Sequence, residues 1–504
     1  MTDENLTRSA GSAAFWQLFG GGASAFIRLT ASIFLARLLT PHDFGIFGMA
    51  LLAYEFVSYA VSCAGIGSAI VAKKEVTQAD LSTSFWSIAL VKFVMFLLAF
   101  LGAPLAGEFW KSDEIVPVLQ VISFTFLISA LDSVSNTLLI KRLKFKTINI
   151  INVVICLLES VGAVILAYTT DLGYWSLVIT MLAGSFVTAL LMFVLAGWQP
   201  SLEFDKRSFK YQFRFGINGL GFSIVNYLNQ NLDYLIVGRM LGTSALGLYE
   251  FAYRIPHLLQ LRVVQPIGNA LFPLLAKVQD DDDKLITGYA KAAAILSFIT
   301  FPLLVGLAAV ADILVPLMWG EQWVSIVIPL QILCASALLR VVPQASGAVL
   351  LNRNRPDLPF KISVLSLLIT AALLFFLGQK MQLNGVALAM TLGTIPHYLG
   401  VYYAFKLTNG KVGYLLSQLA PVIVASIVCG GMAMLTKEML MANTGSMLFA
   451  LFAAILVGAL SYLIVLVYLF SRFFKGILTQ IDAATGVSLV SRFAWLYRWT
   501  PLKD

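Results

Sequence analysis

Ala36-Arg37-Leu38-Leu39, four residues, then Phe44-Gly45-Ile46-Phe47 returns later in the chain as Gly238-Arg239-Met240-Leu241, four residues, then Leu246-Gly247-Leu248-Tyr249. Each copy closes one long apolar run and opens the next, and Arg239 lies 202 residues (239 − 37) after Arg37. Fainter echoes keep a similar offset: Ile66-Gly67 and Lys73 with Ile267-Gly268 and Lys277, Val116-Pro117 with Ile328-Pro329, Phe145-Lys146 with Phe360-Lys361, and Gly173 with Gly385. Phased agreement at several places argues for an internal repeat over chance similarity among apolar segments.

Outward from these two anchors, apolar runs long enough to cross about 30 Å of hydrocarbon recur. They begin near Phe15, Phe44, Thr83, Val116, Ile148 and Tyr174, and after a longer polar stretch near Phe213, Leu246, Ala292, Val324, Ile362, Gly385, Leu415 and Met447. Six runs separate the two copies, an even number, so both halves share one topology and form a parallel repeat about an axis along the membrane normal. The expected fold is all-α integral membrane, with about fourteen transmembrane helices. Two six-helix lobes surround a central cavity, two C-terminal helices lie outside the repeat, and both termini are cytoplasmic. The divisions are 1–205 for the N-terminal lobe, 206–412 for the C-terminal lobe, 413–470 for the added pair and 471–504 for a cytoplasmic tail. Trp495, Tyr497, Arg498 and Trp499 give that tail interfacial character.

Composition agrees. Of 504 residues 59% are hydrophobic and 12% charged, with a mean hydropathy of +0.86. A soluble surface needs roughly a quarter charged residues, so the outer surface of this chain faces lipid. Under the proposed topology the inside segments hold roughly 24 Lys and Arg residues, whereas the outside segments hold Lys111, Arg239, Lys380 and Lys437. This bias accounts for the net charge of +8 without any nucleic-acid partner.

Several chemistries are disfavoured. The connections between runs are short, leaving no room for the extramembrane domain that a membrane polymerase or glycosyltransferase requires, so the chain is read as not an enzyme. Cys63, Cys156, Cys334 and Cys429 all sit in apolar runs, and His42, His257 and His397 make no metal-ligand pattern. The polar start and the long first run do not fit a removable signal peptide. Gly20-Gly21-Gly22 lacks phosphate-loop companions and suits close packing. The run Asp280-Asp281-Asp282-Asp283 lacks EF-hand spacing and suits a solvated loop.

Charges inside the spans carry the chemistry, because ionisable groups in hydrocarbon need a polar cavity or a partner. Arg28, Lys92, Arg254, Arg262 and Arg340 lie well inside their runs and are the candidates to receive an anionic headgroup. Guanidinium suits phosphate because it stays charged and donates two parallel hydrogen bonds. Glu55, Asp132, Glu159 and Asp233 are acidic counterparts. The competing reading is that these charges pair with one another and fix helix packing. Asn226, Asn229 and Asp233 share one helix face at spacings of three and four. They could coordinate a coupling cation, with Glu55 and Glu159 as further coupling-ion or counter-charge candidates, or act as interhelical glue. Tyr227 and Trp86 are candidates to stack on sugars.

Five stretches resemble a known family: Leu35-Ala36-Arg37-Leu38-Leu39-Thr40-Pro41-x-Asp43-Phe44-Gly45, Asn231-Leu232-Asp233-x-Leu235-Ile236-Val237-Gly238-Arg239, Leu271-Phe272-Pro273-x-x-Ala276-Lys277-x-Gln279-Asp280-Asp281, Trp319-Gly320-x-x-Trp323 and Asn354-Arg355-Pro356-Asp357. Together they resemble the Wzx-type flippases, in particular the colanic-acid-exporter branch of the multidrug/oligosaccharidyl-lipid/polysaccharide exporter superfamily. The resemblance implies a bacterial cytoplasmic-membrane protein that moves an undecaprenyl-pyrophosphate-linked oligosaccharide outward by alternating access, for exopolysaccharide, capsule or O-antigen synthesis. It implies no bound cofactor, Na⁺ or H⁺ as coupling ion, membrane lipids as surroundings, and polysaccharide polymerase and export proteins as partners. Only the cationic character of the cavity carries over from the family, not individual residue roles. The alternative within the superfamily is a drug or metabolite exporter coupled to Na⁺ or H⁺, which calls for an acidic or neutral cavity.

Overall fold

The computed structural model describes residues 3–60, 70–71, 73, 75–210 and 220–485, and every regular element among them is helical. In hydrocarbon each backbone N–H and C=O must be satisfied within the segment, which the helix achieves. The chain forms two compact units, Met1–Glu250 and Phe251–Asp504.

The first unit holds α1 (Asp3–Leu38), α2 (Pro41–Ala60), α3 (Gln78–Trp110), α4 (Ile115–Lys141), α5 (Phe145–Thr169), α6 (Trp175–Ala196), α7 (Leu220–Leu241) and the start of α8 (Thr243–Leu259). α1 packs on α5, α3 on α4, α6 on both α4 and α5, and α2 on α4 and α7. Buried Gly20 of α1 lies against Asn149 of α5, so at least this member of the glycine triplet serves close packing.

Local chemistry explains the Thr-Pro-x-Asp motif. Thr40 and Asp43 form a capping box: the Asp43 N–H donates to the Thr40 hydroxyl oxygen at 3.3 Å, and the Thr40 N–H donates to the Asp43 carboxylate at 2.8 Å. Pro41 takes the first helical position, where a missing N–H costs nothing. The second Asp43 oxygen accepts the Tyr174 N–H at 3.1 Å, tying the turn before α6 to the start of α2. Four residues into α2, Gly45 lies against the Thr243 carbonyl, and Gly247 of α8 lies against the Pro41 carbonyl. A Cβ at either glycine would overlap backbone. The same capping logic recurs at Thr77 and Asp80, and the buried Asp80 carboxylate also accepts from Lys73 at 2.7 Å and from the Ser208 hydroxyl.

The second unit continues α8 into a π-turn (Gln260–Val264). It then holds α9 (Gln265–Ala276), α10 (Asp282–Trp319), α11 (Val327–Gln344), α12 (Ser346–Asn352), α13 (Asp357–Leu392), α14 (Tyr398–Leu407), α15 (Val412–Thr444), α16 (Met447–Leu469) and α17 (Ser471–Thr485). Short 3-10 turns at Glu321–Ile326 and Ile395–His397 precede α11 and α14. α10 packs on α11, α15 and α16, and α17 lies against α16 with Phe474, Ile477 and Leu478 buried. The aspartate run starts a helix: Asp281 caps α10 by accepting the Lys284 N–H at 3.0 Å, and Asp282 pairs with Arg353.

Ten helical stretches among the described residues are long and apolar enough to cross a membrane. Helices α2 and α7, and α8 with α9, carry too many polar residues to meet that measure, and residues 357–407 form one stretch over two of the expected spans, interrupted by non-helical backbone at Gln382. Lys437 needs correction. Its charge marked the end of a span in the sequence, but α15 runs on to Thr444 and buries Lys437, whose ammonium donates to both Asp312 carboxylate oxygens at 2.9 Å and to the Ala309 carbonyl at 3.1 Å. A partner on α10 is what admits a charge at that position. Cys156, Cys334 and Cys429 are buried free thiols. Cys63 and the Trp495–Trp499 segment lie outside the described residues.

Candidate functional site

In the first unit the structure brings several candidate charges together in opposite-sign pairs. Arg28 of α1 places Nη2 3.8 Å from Oε2 of Glu159 on α5, with the guanidinium 70% exposed and the carboxylate largely covered. Lys92 of α3 sits over the Phe126 ring of α4 at 5.7 Å and shares its surroundings with Asp132, one turn and a half further along α4. The same Phe126 ring is stacked by Tyr54, with centroids 4.3 Å apart. Glu55, next to Tyr54 on α2, is half-buried.

The polar face expected on α7 is divided. Asp233 is buried, 2% exposed, and accepts the Tyr249 hydroxyl at 2.7 Å, whereas Asn229 is exposed. The Asn226 side chain lies outside the described residues. Tyr227 is fully buried between Phe56 and Tyr59 and donates to the Leu52 carbonyl at 2.6 Å. Its ring and hydroxyl are therefore occupied by packing, which removes it as a sugar platform. Trp86 keeps an exposed face, but its indole N–H is committed to the Ser201 carbonyl at 2.9 Å.

The second unit holds its cations by aromatic and polar contacts. Gly320, at φ 101°, turns the chain sharply after α10 in a conformation that a side chain would strain. That turn sets Trp319 and Trp323, both fully buried, around Phe251: Trp323 stacks on it at 3.9 Å and Trp319 meets it edge-on at 5.2 Å. The Arg254 guanidinium lies over the Phe251 ring at 4.1 Å. The Trp-Gly-x-x-Trp motif thus fixes the ring on which Arg254 rests. Arg340 of α11 donates from Nη1 to the Tyr253 hydroxyl at 3.0 Å. Arg262 is exposed in the π-turn.

The remaining motif, Asn354-Arg355-Pro356-Asp357, is an exposed clamp. Arg355 meets the Asp357 carboxylate with two bonds at 2.9 and 3.1 Å, and Lys361 adds a third at 3.2 Å. Sequence reasoning set His257 and His397 aside as metal ligands and gave them no other role, yet both stand near Arg340. A signal was present, because each follows Ile-Pro within an apolar run. Among the described residues no group of His, Cys, Asp and Glu is placed to hold a metal ion.

Residues 34–328 match the family described as polysaccharide biosynthesis protein. The chain belongs to that family. Among its relatives, the lipopolysaccharide biosynthesis protein WzxC of Escherichia coli K12 is 30% identical over 73% of this chain and 75% of its own length. The teichuronic acid biosynthesis protein TuaB of Bacillus subtilis 168 is 27% identical over 92% of this chain and 96% of its own. Among solved structures, the lipid II flippase MurJ in an inward closed conformation superposes with a TM-score of 0.71 at 16% identity, covering 90% of this chain and 97% of its own. An inward-facing multidrug MATE transporter gives 0.57 at 14% identity, covering 77% and 94%. This polysaccharide biosynthesis protein therefore has the fold shared by these exporters and is a multi-pass membrane protein.

Proposed function

We propose that this protein flips an undecaprenyl-pyrophosphate-linked oligosaccharide repeat unit from the cytoplasmic to the outer leaflet of a bacterial inner membrane by alternating access, for surface polysaccharide synthesis. The observation that carries the reading is Arg254. Two buried tryptophans and Phe251 hold its guanidinium at a fixed place within an apolar run, and a cation so fixed suits a phosphate group. Arg28, Lys92, Arg262 and Arg340 are the other cations assigned to the diphosphate. Asp233, Glu55, Glu159 and Asn229 are assigned to the coupling ion, Na⁺ or H⁺, or to counter-charge. Polysaccharide polymerase and export proteins are the partners such a step would feed. The charge alternation along the sequence supports about fourteen spans with both termini cytoplasmic.

The names of the relatives support this reading, since WzxC and TuaB are both named for polymer biosynthesis. An exporter of cationic drugs would share the fold, but the cations set inside the apolar runs, Arg28, Lys92, Arg254, Arg262 and Arg340, favour an anionic solute. The test is transport in proteoliposomes of a fluorescent undecaprenyl-pyrophosphate oligosaccharide under an imposed Na⁺, H⁺ or voltage gradient. Gradient-dependent movement that is lost in Arg254→Ala supports the reading. Absence of movement under every gradient, with folded protein, overturns it.

A further inference from the structure

The connection after α6 runs without regular structure from 198 to 205 and becomes helical at 206. Side chains on the first turns of α3 hold it. The Gln78 amide donates to the Gln199 carbonyl at 2.9 Å and accepts the Trp198 indole N–H at 2.8 Å. The Ser201 N–H donates to the Ser82 hydroxyl oxygen at 3.0 Å, and the Ser201 carbonyl accepts the Trp86 indole N–H at 2.9 Å. The Asp205 N–H donates to the Thr83 hydroxyl oxygen at 2.8 Å. Asp205 then caps the helical turn by accepting the Arg207 and Ser208 N–H groups at 3.1 Å, and the Ser208 hydroxyl closes on buried Asp80. A loop in bulk water needs no such partners, because solvent supplies them; near hydrocarbon it does.

The depth of this ladder follows from α3. Its 33 residues extend about 50 Å at a helical rise of 1.5 Å per residue, against roughly 30 Å of hydrocarbon. Asp80, Ser82, Thr83, Ser84 and Ser87 crowd its first turns and the apolar run follows them, so the excess length stands at this end, among lipid headgroups. The Ala196 carbonyl at the end of α6 accepts from Arg142 at 2.8 Å, which brings the turn after α4 to the same level.

On this frame Leu202 is 90% exposed and Phe204 52% exposed. Both lie outside the spans, and a backbone fastened to α3 on either side of them does not let them turn inward. Leu202 stands six residues (202 − 196) past the end of a span, so lipid is the apolar medium at hand. Lys206, Arg207 and Lys210 are exposed in the same connection, and Lys144 and Lys146 are exposed after α4. Of the two acidic groups in the connection, Asp205 is taken up by its cap, which leaves Glu203. Apolar side chains beside Lys and Arg are what a segment lying in the membrane interface carries, and an anionic leaflet attracts such cations.

We propose that residues 199–210 form a strap docked on the membrane surface: Leu202 and Phe204 enter the acyl boundary, and Lys206, Arg207 and Lys210 hold the headgroups of anionic phospholipids. By the charge bias of the sequence this is the cytoplasmic leaflet. The inference rests on the membrane fold and is independent of the transported solute. Through its ladder to α3 the strap fixes how deep this end of the first unit sits in the bilayer.

The test uses the purified full-length protein in phosphatidylcholine vesicles containing phosphatidylglycerol. A fluorophore is attached to the Leu202→Cys variant and, as reference, to Glu203→Cys, with the labelling of the native cysteines measured on the wild type. Lipids with brominated acyl chains should quench the label at 202 more than that at 203, and aqueous iodide should do the reverse. Quenching at 202 by iodide and not by brominated lipid overturns the strap. Shielding of that position from both quenchers does so too, since it means that protein covers it. The headgroup half is read in detergent, by following thermal unfolding as phosphatidylglycerol is added. Its apparent affinity should fall about a hundredfold in the triple variant Lys206→Gln, Arg207→Gln, Lys210→Gln, a factor of about five per cation. Should that variant fail to fold, Lys206→Gln with Lys210→Gln takes its place, with a fall of about twenty-fivefold. Unchanged affinity overturns the headgroup assignment, as does equal protection of the wild type by inorganic phosphate or by phosphatidylcholine.

Discussion

Gly45 and Gly247 occupy reciprocal notches: Gly45 lies on the Thr243 carbonyl and Gly247 on the Pro41 carbonyl. Both pairs obey the repeat offset, 247 − 45 = 202 and 243 − 41 = 202. A contact in which residue i meets j while the equivalent of i meets the equivalent of j is what a two-fold relationship produces. Here it joins the starts of α2 and α8 through backbone, with no room for a side chain. Gly45→Val and Gly247→Val should therefore each destabilise the protein by about 1–3 kcal/mol through overpacking. The two costs should combine non-additively, since the sites are in contact. Thermal unfolding of the two single variants and the double variant checks this, and strict additivity would refute the reciprocal arrangement.

A second expectation concerns the tryptophan clamp. Trp323→Leu removes the ring stacked on Phe251 and leaves the Arg254 side chain itself in place. If the clamp serves to position the guanidinium, transport in proteoliposomes should fall nearly as far as in Arg254→Ala. Transport at the wild-type rate in Trp323→Leu, with Arg254→Ala inactive, would separate the clamp from the cation.

The Arg28–Glu159 pair gives a third. The guanidinium is exposed and the carboxylate largely covered, so the two members should respond differently. Arg28→Ala should abolish polysaccharide export while the amount of protein in the membrane stays unchanged, because a partly exposed pair contributes only about 0–1 kcal/mol to stability. Glu159→Gln should retain export if the carboxylate serves as counter-charge to Arg28 and should lose gradient dependence if it takes the coupling ion. Equal loss of export in both variants together with a fall in the amount of membrane protein would point instead to a packing role for the pair.

A fourth expectation follows from Lys437. Lys437→Met leaves the Asp312 carboxylate without its ammonium and should lower thermal stability, by less than the roughly 3–5 kcal/mol of a fully buried pair because the Asp312 side chain is half exposed. Combining it with Asp312→Leu should restore much of the loss. A double variant as unstable as the single one would show that the pair is not the source.

The helical, membrane-crossing character of most apolar runs was legible because it is written in composition, and two glycines of the repeated motif, Gly45 and Gly247, turned out to be contact points. The motif residues were legible as a pattern but not as chemistry. Thr40 and Asp43 cap a helix, Arg355 and Asp357 clamp a turn, and the two tryptophans support an arginine at one remove. Lys437 misled because a charge near the end of an apolar run reads as a boundary, and its partner stands 125 residues away. The depth of Tyr227 was equally hidden, since in a helix this apolar nothing in the sequence separates a buried face from an exposed one. His257 and His397 carried a visible repeated tripeptide, but only the folded chain brings both to Arg340.

The Lys437–Asp312 pair also bears on how far the last long helices can be separated from the rest of the second unit. α10 presents Asp312, Ala309, Val310 and Ile313 toward α15 and α16, where Ala433, Ala450 and Ala454 complete the packing. A chain without α15 and α16 would be left with an unmatched carboxylate and a bare apolar strip, Ala309, Val310 and Ile313, on α10. α15 and α16 are thus no detachable appendage of the second unit: they close its core along α10.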